Sequence, residues 1–98
     1  MANAQKELLE HIKEAGAGVE FVKIRYAKNY DEETMIQGKL EEVLPLLNFE
    51  YDSGYGGQEL FGYIWYKDGT WSDRGEYDGS EWWQHQSRPD YNIELNRY

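Results

Sequence analysis

Leu60-Phe61-Gly62-Tyr63-Ile64-Trp65-Tyr66-Lys67-Asp68-Gly69-Thr70-Trp71-Ser72-Asp73-Arg74-Gly75-Glu76-Tyr77 decides the fold. Two aromatic and β-branched runs, Leu60 to Lys67 and Thr70 to Tyr77, flank an Asp-Gly pair, which predicts two antiparallel strands joined by a two-residue turn with positive φ. In that register Lys67 faces Thr70, Tyr66 faces Trp71, Trp65 faces Ser72, Ile64 faces Asp73 and Tyr63 faces Arg74. One face then carries Ile64, Tyr66 and Trp71, and the other carries Tyr63, Trp65 and Arg74. Both are aromatic.

Working outward toward the C-terminus, a second Asp-Gly at Asp78-Gly79 turns the chain again, so that Glu81 to Gln86 returns as the third strand of a meander. Arg88-Pro89 ends that strand, and residues 90–98 read as a tail or an edge strand. Toward the N-terminus, Phe49 to Gly57 is too dense in glycine for a regular strand and reads as a loop or a distorted strand. Thr34, Ile36, Gly38 and Leu40 suit a strand, while Ile36, Leu40 and Val43 suit a helix. Gly38 and Pro45 favour a strand over 33–40 followed by a short helical turn over Glu41 to Leu47. Val19 to Ala27 alternates Val22, Ile24 and Tyr26 against Lys23 and Arg25, as a strand with one buried side does. Asn3 to Ala15 places Leu8, Leu9, Ile12 and Ala15 on one helical stripe, with Asn3 as cap and Gly16 as terminator. The expectation is one α+β domain over 1–98: an N-terminal helix packed on an antiparallel sheet of four to five strands that ends in a C-terminal meander.

The chain has 98 residues, enough for one core, and no cysteine, which removes disulfides, thiolate metal sites and cysteine nucleophiles together. Met1 to Gly16 carries charges throughout and lacks the apolar run of a signal peptide, and no window has the length of a membrane span. A soluble, cytoplasmic protein is expected. Nineteen acidic against ten basic residues give a net charge of −9, which repels nucleic-acid backbones. Such acidity serves solubility, or imitates a nucleic acid in front of a basic protein groove.

The window Glu50 to Glu81 holds eight acidic residues against two basic ones and seven of the ten glycines, with Trp65 and Trp71 inside it and Trp82 and Trp83 directly after. The helix can cover one face of the sheet, and no second helix of comparable length remains for the other. An uncovered aromatic face is a contact surface in many proteins. The partner-binding residues expected on it are Tyr63, Trp65, Arg74, Trp82 and Trp83, ringed by Asp73, Glu76, Asp78 and Glu81. The alternative closes the face internally, with Arg74 stacked on Trp65 or Trp83 and the loop Tyr51 to Tyr55 folded over them.

Enzymatic readings find less support. Asp73, Glu76, Asp78, Glu81 and His85 lack the spacing of a calcium loop, since Asp73 stands sixth from Asp68 where glycine is needed. Glu76 and Glu81 have the residue types of a glycosidase pair in a chain where carboxylates are everywhere. His11 and His85 stand in no recognised relation to a nucleophile, and Gly54, Gly56 and Gly57 lack a phosphate-loop pattern. No catalytic residue, metal or cofactor is expected.

The run Asp68-Gly69-Thr70-Trp71, then Arg74, then Glu76-Tyr77-Asp78-Gly79-Ser80-Glu81-Trp82-Trp83, followed by Pro89, resembles the C-terminal half of small uncharacterised proteins encoded by tailed bacteriophages. The resemblance reaches back weakly through Leu46 to Gly62, about half of the chain. It implies an accessory protein acting in the cytoplasm of an infected bacterium. The reading is therefore a non-enzymatic inhibitor of a host or antiviral-defence protein, acting through an acidic aromatic surface. Two alternatives stand beside it: a structural homodimer joined through that face, and a small ligand-binding or hydrolytic domain using the loop Tyr51 to Gly57.

Overall fold

The computed structural model describes residues 2–27, 33–51 and 57–88. The expected tail over 90–98 and most of the glycine-dense loop lie outside them. Strand β1 (Ala2–Asn3) leads into helix α1 (Ala4–Ala15), followed by β2 (Val19–Ala27), β3 (Glu33–Gly38), the single turn α2 (Leu40–Val43) and a 3-10 turn (Leu44–Leu47). Next come β4 (Glu50–Tyr51), β5 (Leu60–Tyr66), β6 (Trp71–Tyr77) and β7 (Ser80–Gln86). The fold is α+β as expected, with an antiparallel five-stranded sheet in the order β3-β2-β5-β6-β7 and a two-stranded ribbon of β1 and β4 beside it.

Helix α1 has the ends that its sequence foretells. The Asn3 side chain accepts a bond from the Lys6 amide at 3.0 Å, and the Gly16 amide closes the last turn on the Ile12 carbonyl. Its apolar stripe places Ala4 and Leu8 against Val22, Ile24, Leu60 and Ile64 of the sheet, and Val43 and Leu47 fill the adjoining side of the same core. Of the strand expected over 33–40, residues 33–38 are strand and not helix; it ends at Gly38, and Leu40 already opens α2. Helical turns follow, with Pro45 in the first turn of the 3-10 piece, where its missing N–H costs no bond.

The two Asp-Gly pairs, identical in sequence, build different turns. At Asp78-Gly79 both residues take positive φ, 51° and 86°, and Tyr77 pairs with Ser80 across a two-residue turn. At Asp68-Gly69 only Gly69 is left-handed, at 87°. The Asp68 carboxylate accepts instead from the Thr70 amide at 2.9 Å and the Thr70 hydroxyl at 2.6 Å, and the ladder closes from the Tyr66 amide to the Thr70 carbonyl. This is a three-residue loop ending in a left-handed glycine. It pairs Trp65 with Trp71, Ile64 with Ser72 and Tyr63 with Asp73. The register expected from the sequence is thus off by one residue, which turns all of β6 over. Ser72 and Arg74 face the helix, while Trp71 and Asp73 face away.

Strands β2 and β5 approach closely at Gly62, where an added Cβ would lie 2.5 Å from the Lys23 carbonyl oxygen and 3.1 Å from the Ile24 side chain. A Gly62→Ala variant is expected to lose about 1–3 kcal/mol. For a chain of this size that lowers the melting midpoint by roughly 5–20 °C, readable by circular dichroism.

Candidate functional site

The sheet has two unlike faces. On the helix side, Arg74 stands at the centre of a buried polar cluster with its side chain 2% exposed. Its guanidinium donates to Glu7 on α1 at 2.7 Å, to Glu81 on β7 at 2.8 Å and to the Tyr51 hydroxyl on β4 at 2.8 Å. It lies 4.9 Å from the centre of the Trp83 ring. The Tyr51 hydroxyl donates in turn to Glu7. Burial first, and this bond to a carboxylate second, hold its ionisation well above the ordinary phenol range, so it remains a donor.

Glu81 has a second task. The paired stretch of β5 and β6 runs only from Tyr63 opposite Asp73 to Trp65 opposite Trp71, and the Glu81 carboxylate accepts from the Glu59 and Leu60 amides at 2.9 and 3.1 Å. The cluster therefore joins α1, β4, β6, β7 and the start of β5. It is a structural clamp.

Next to it, His11 of α1 stacks on Trp83 and shares a 2.7 Å hydrogen bond with the Ser72 hydroxyl, which meets the Tyr66 hydroxyl at 2.8 Å. A histidine and a serine at this distance have the parts of a nucleophilic pair, but Ser72 is fully buried and its oxygen is shared with Tyr66, leaving no path for a substrate. Desolvation, the largest influence, holds the His11 pKa below its ordinary value, with Glu14 and Glu7 opposing and His85 and Arg74 assisting. The sign follows. The unfolded chain takes up a proton at about pH 6.5 while folded His11 resists it, so stability is complete above that pH and declines as the pH falls toward the folded value. Urea midpoints measured at pH 7.5 and at about pH 5.5 are expected to fall further for the unmodified chain than for His11→Gln, which keeps a polar partner for Ser72 and cannot titrate.

The opposite face has no cover among the described residues. Phe21, Lys23 and Arg25 of β2, Phe61, Tyr63 and Trp65 of β5, Trp71 and Asp73 of β6 and Trp82 of β7 alternate with the core positions and point outward. Trp65 is 37% and Trp82 40% exposed, and Phe21, Met35 and Tyr63 are exposed as well. The rings touch one another: Tyr63 stacks on Trp65 at 5.7 Å, Phe21 tilts against Trp65 at 5.9 Å, and the Arg25 guanidinium lies 4.3 Å above Phe61. Arg25 also pairs with Glu33 at 3.2 Å. Trp82 lies across Gly75, where a Cβ would come within 2.6 Å of its indole.

The nine residues expected to share one surface are divided between the faces. Tyr63, Trp65, Asp73 and Trp82 stand on the open face, and Glu76 and Asp78 at the exposed hairpin end. Arg74, Glu81 and Trp83 are a correction: the one-residue register change and the alternation along β7 bury them under α1, with Glu81 0% exposed at its side chain and Trp83 7% overall. The internal closure weighed from the sequence is realised in part, since Arg74 does stack on Trp83, with Tyr51 against it. Lys23, Arg25, Phe21 and Phe61 also belong to the open face: the alternation along β2 sets Lys23 and Arg25 opposite its buried side, and no local pattern singles out Phe21 or Phe61.

Compared with known protein families, curated proteins and solved structures, the chain matches none. Among the described residues no helix is long and apolar enough to cross a membrane, and no three His, Cys, Asp or Glu side chains stand close enough to hold a metal ion.

Proposed function

We propose that the chain is a non-enzymatic protein-binding module whose working surface is the open face of its five-stranded sheet. The observation that supports this is the asymmetry of the sheet: the buried ionic cluster of Arg74, Glu81 and Glu7 lies beneath the helix, while Phe21, Tyr63, Trp65 and Trp82 stand in water on the other side. A fold with no use for that face gains nothing by exposing rings there, and contiguous exposed aromatics mark association surfaces. Of the carboxylates expected around the rings, Asp73 alone lies at the centre of the face, beside Lys23 and Arg25. The reading therefore rests on aromatic contact and not on an acidic imitation of nucleic acid. The resemblance to tailed-bacteriophage accessory proteins makes the foreign target a host or antiviral-defence protein, and the action inhibition.

The test is capture from a bacterial lysate by the immobilised chain, comparing the unmodified protein with Trp65→Ala and with Glu14→Ala on the opposite side. A partner retained by the first and third and released by Trp65→Ala is the expected result, with affinity reduced by about 30-fold or more for a central aromatic anchor. Equal retention by all three overturns the assignment of the face.

A further inference from the structure

We infer that the first occupant of the open face is a second copy of this chain, docked face to face about a two-fold axis that runs along β5. The inference rests on the recognition reading above and names a partner for the same surface.

The cross-strand register carries the argument. Lys23, Tyr63 and Asp73 form one row across the outer face, with Tyr63 on the middle strand and the two opposite charges on its two flanks. Rotation by a half-turn about an axis lying along β5 in the plane of the interface exchanges left and right flanks and keeps each row at its own height. Lys23 of one copy then meets Asp73 of the other, and the reverse pair forms at the symmetric position. In the neighbouring row, Phe21, Trp65 and Trp71, the same rotation brings Phe21 on β2 opposite Trp71 on β6, both apolar side chains of the open face. Along the axis Tyr63 and Trp65 meet their own copies. An isologous interface requires such self-complementarity: every residue must find its partner through one operation. This face meets the requirement in charge and in apolarity together.

Size and charge balance agree. Five strands about 4.8 Å apart and seven residues long at about 3.3 Å each give a footprint of roughly 500 Å² before side-chain relief is added. That is the same order as the about 800 Å² per partner of a standard interface. Each copy carries a net charge of −9, yet of its exposed acids Glu10, Glu14, Glu41 and Glu42 belong to the helical layer behind the sheet, Asp68, Glu76 and Asp78 lie at or next to its turns, and Glu33 on the open side is paired with Arg25. Those of the helical layer act across about 10 Å or more, beyond the roughly 8 Å Debye length of physiological salt.

The decisive experiment is sedimentation of the full chain and two charge reversals, Lys23→Asp and Asp73→Lys. The unmodified protein is expected to sediment as a dimer. Each variant alone sets like charges against each other at both symmetric positions and is expected to be monomeric. Mixed in equal amounts the two are expected to form a heterodimer, because an Asp at 23 meets a Lys at 73 and the unaltered Lys23 meets the unaltered Asp73. A monomeric unmodified chain at every concentration overturns the inference, and so does a dimer that both variants retain or a mixture that stays monomeric. In any of these cases the lysate comparison with Trp65→Ala still decides the recognition reading separately.

Discussion

Arg74→Met is expected to lower the stability of the fold by about 3–5 kcal/mol, because it removes the buried cation of an ionic cluster and leaves the Glu7 and Glu81 carboxylates with only neutral donors, the Tyr51 hydroxyl and the Glu59 and Leu60 amides. Glu81 has no exposure through which water could replace the guanidinium, and Glu7 is three-quarters covered. The Tyr51 hydroxyl loses an acceptor-side partner at the same time. For a small domain whose whole stability is about 5–15 kcal/mol, the loss approaches a third or more of it, with a drop in melting midpoint of about 15–30 °C. Adding Glu7→Gln to Arg74→Met removes one of the stranded charges and is expected to restore part of the loss, so that the two substitutions are non-additive in a thermal or urea cycle. A loss below about 1 kcal/mol for Arg74→Met would mean that solvent reaches the cluster and that the clamp is not a clamp.

The second large effect separates two neighbours. Trp83→Ala is expected to cost about 3–5 kcal/mol, the range for truncating a buried large aromatic, since its ring lies under α1 between His11 and Arg74. Trp82→Ala, one residue earlier and on the other side of the strand, is expected to change stability by less than about 1 kcal/mol while weakening association through the open face. Chemical unfolding and sedimentation on the same pair of variants check both halves. Equal destabilisation by the two would contradict the division of β7 into a buried and an open side.

Much of the fold is legible in the sequence because it rests on local patterns. The stripe between Asn3 and Gly16 defines a helix, though of its expected members Leu8, Ile12 and Ala15 pack on the core and Leu9 stays exposed, and the alternation through Val22, Ile24 and Tyr26 defines a strand. What escapes is the register around Asp68-Gly69. The dipeptide supports both a two-residue and a three-residue loop, and the choice here depends on Thr70, whose amide and hydroxyl both reach the Asp68 carboxylate. One residue of slip moved Arg74 from an expected surface to the centre of the protein. The strand that holds Tyr51 was missed for another reason: it has two residues, paired among the described residues with Ala2–Asn3, too short to leave a periodic signal. The open face was legible in part: Tyr63, Trp65, Asp73 and Trp82 stand on it as expected, while Arg74, Glu81 and Trp83 are buried on the other side.

The bond between Glu7 and Arg74 spans 67 residues of sequence. At about 5–20 residues per second of synthesis, several seconds separate the appearance of the carboxylate from that of the guanidinium. For that interval the amphipathic first helix has neither its ionic tether nor the last two strands to rest on, and its Leu8 and Ile12 remain open to chaperones or to neighbouring nascent chains. Completion of β7, which brings Glu81 and Trp83 to Arg74 beneath the helix, is the event that ends this vulnerable period.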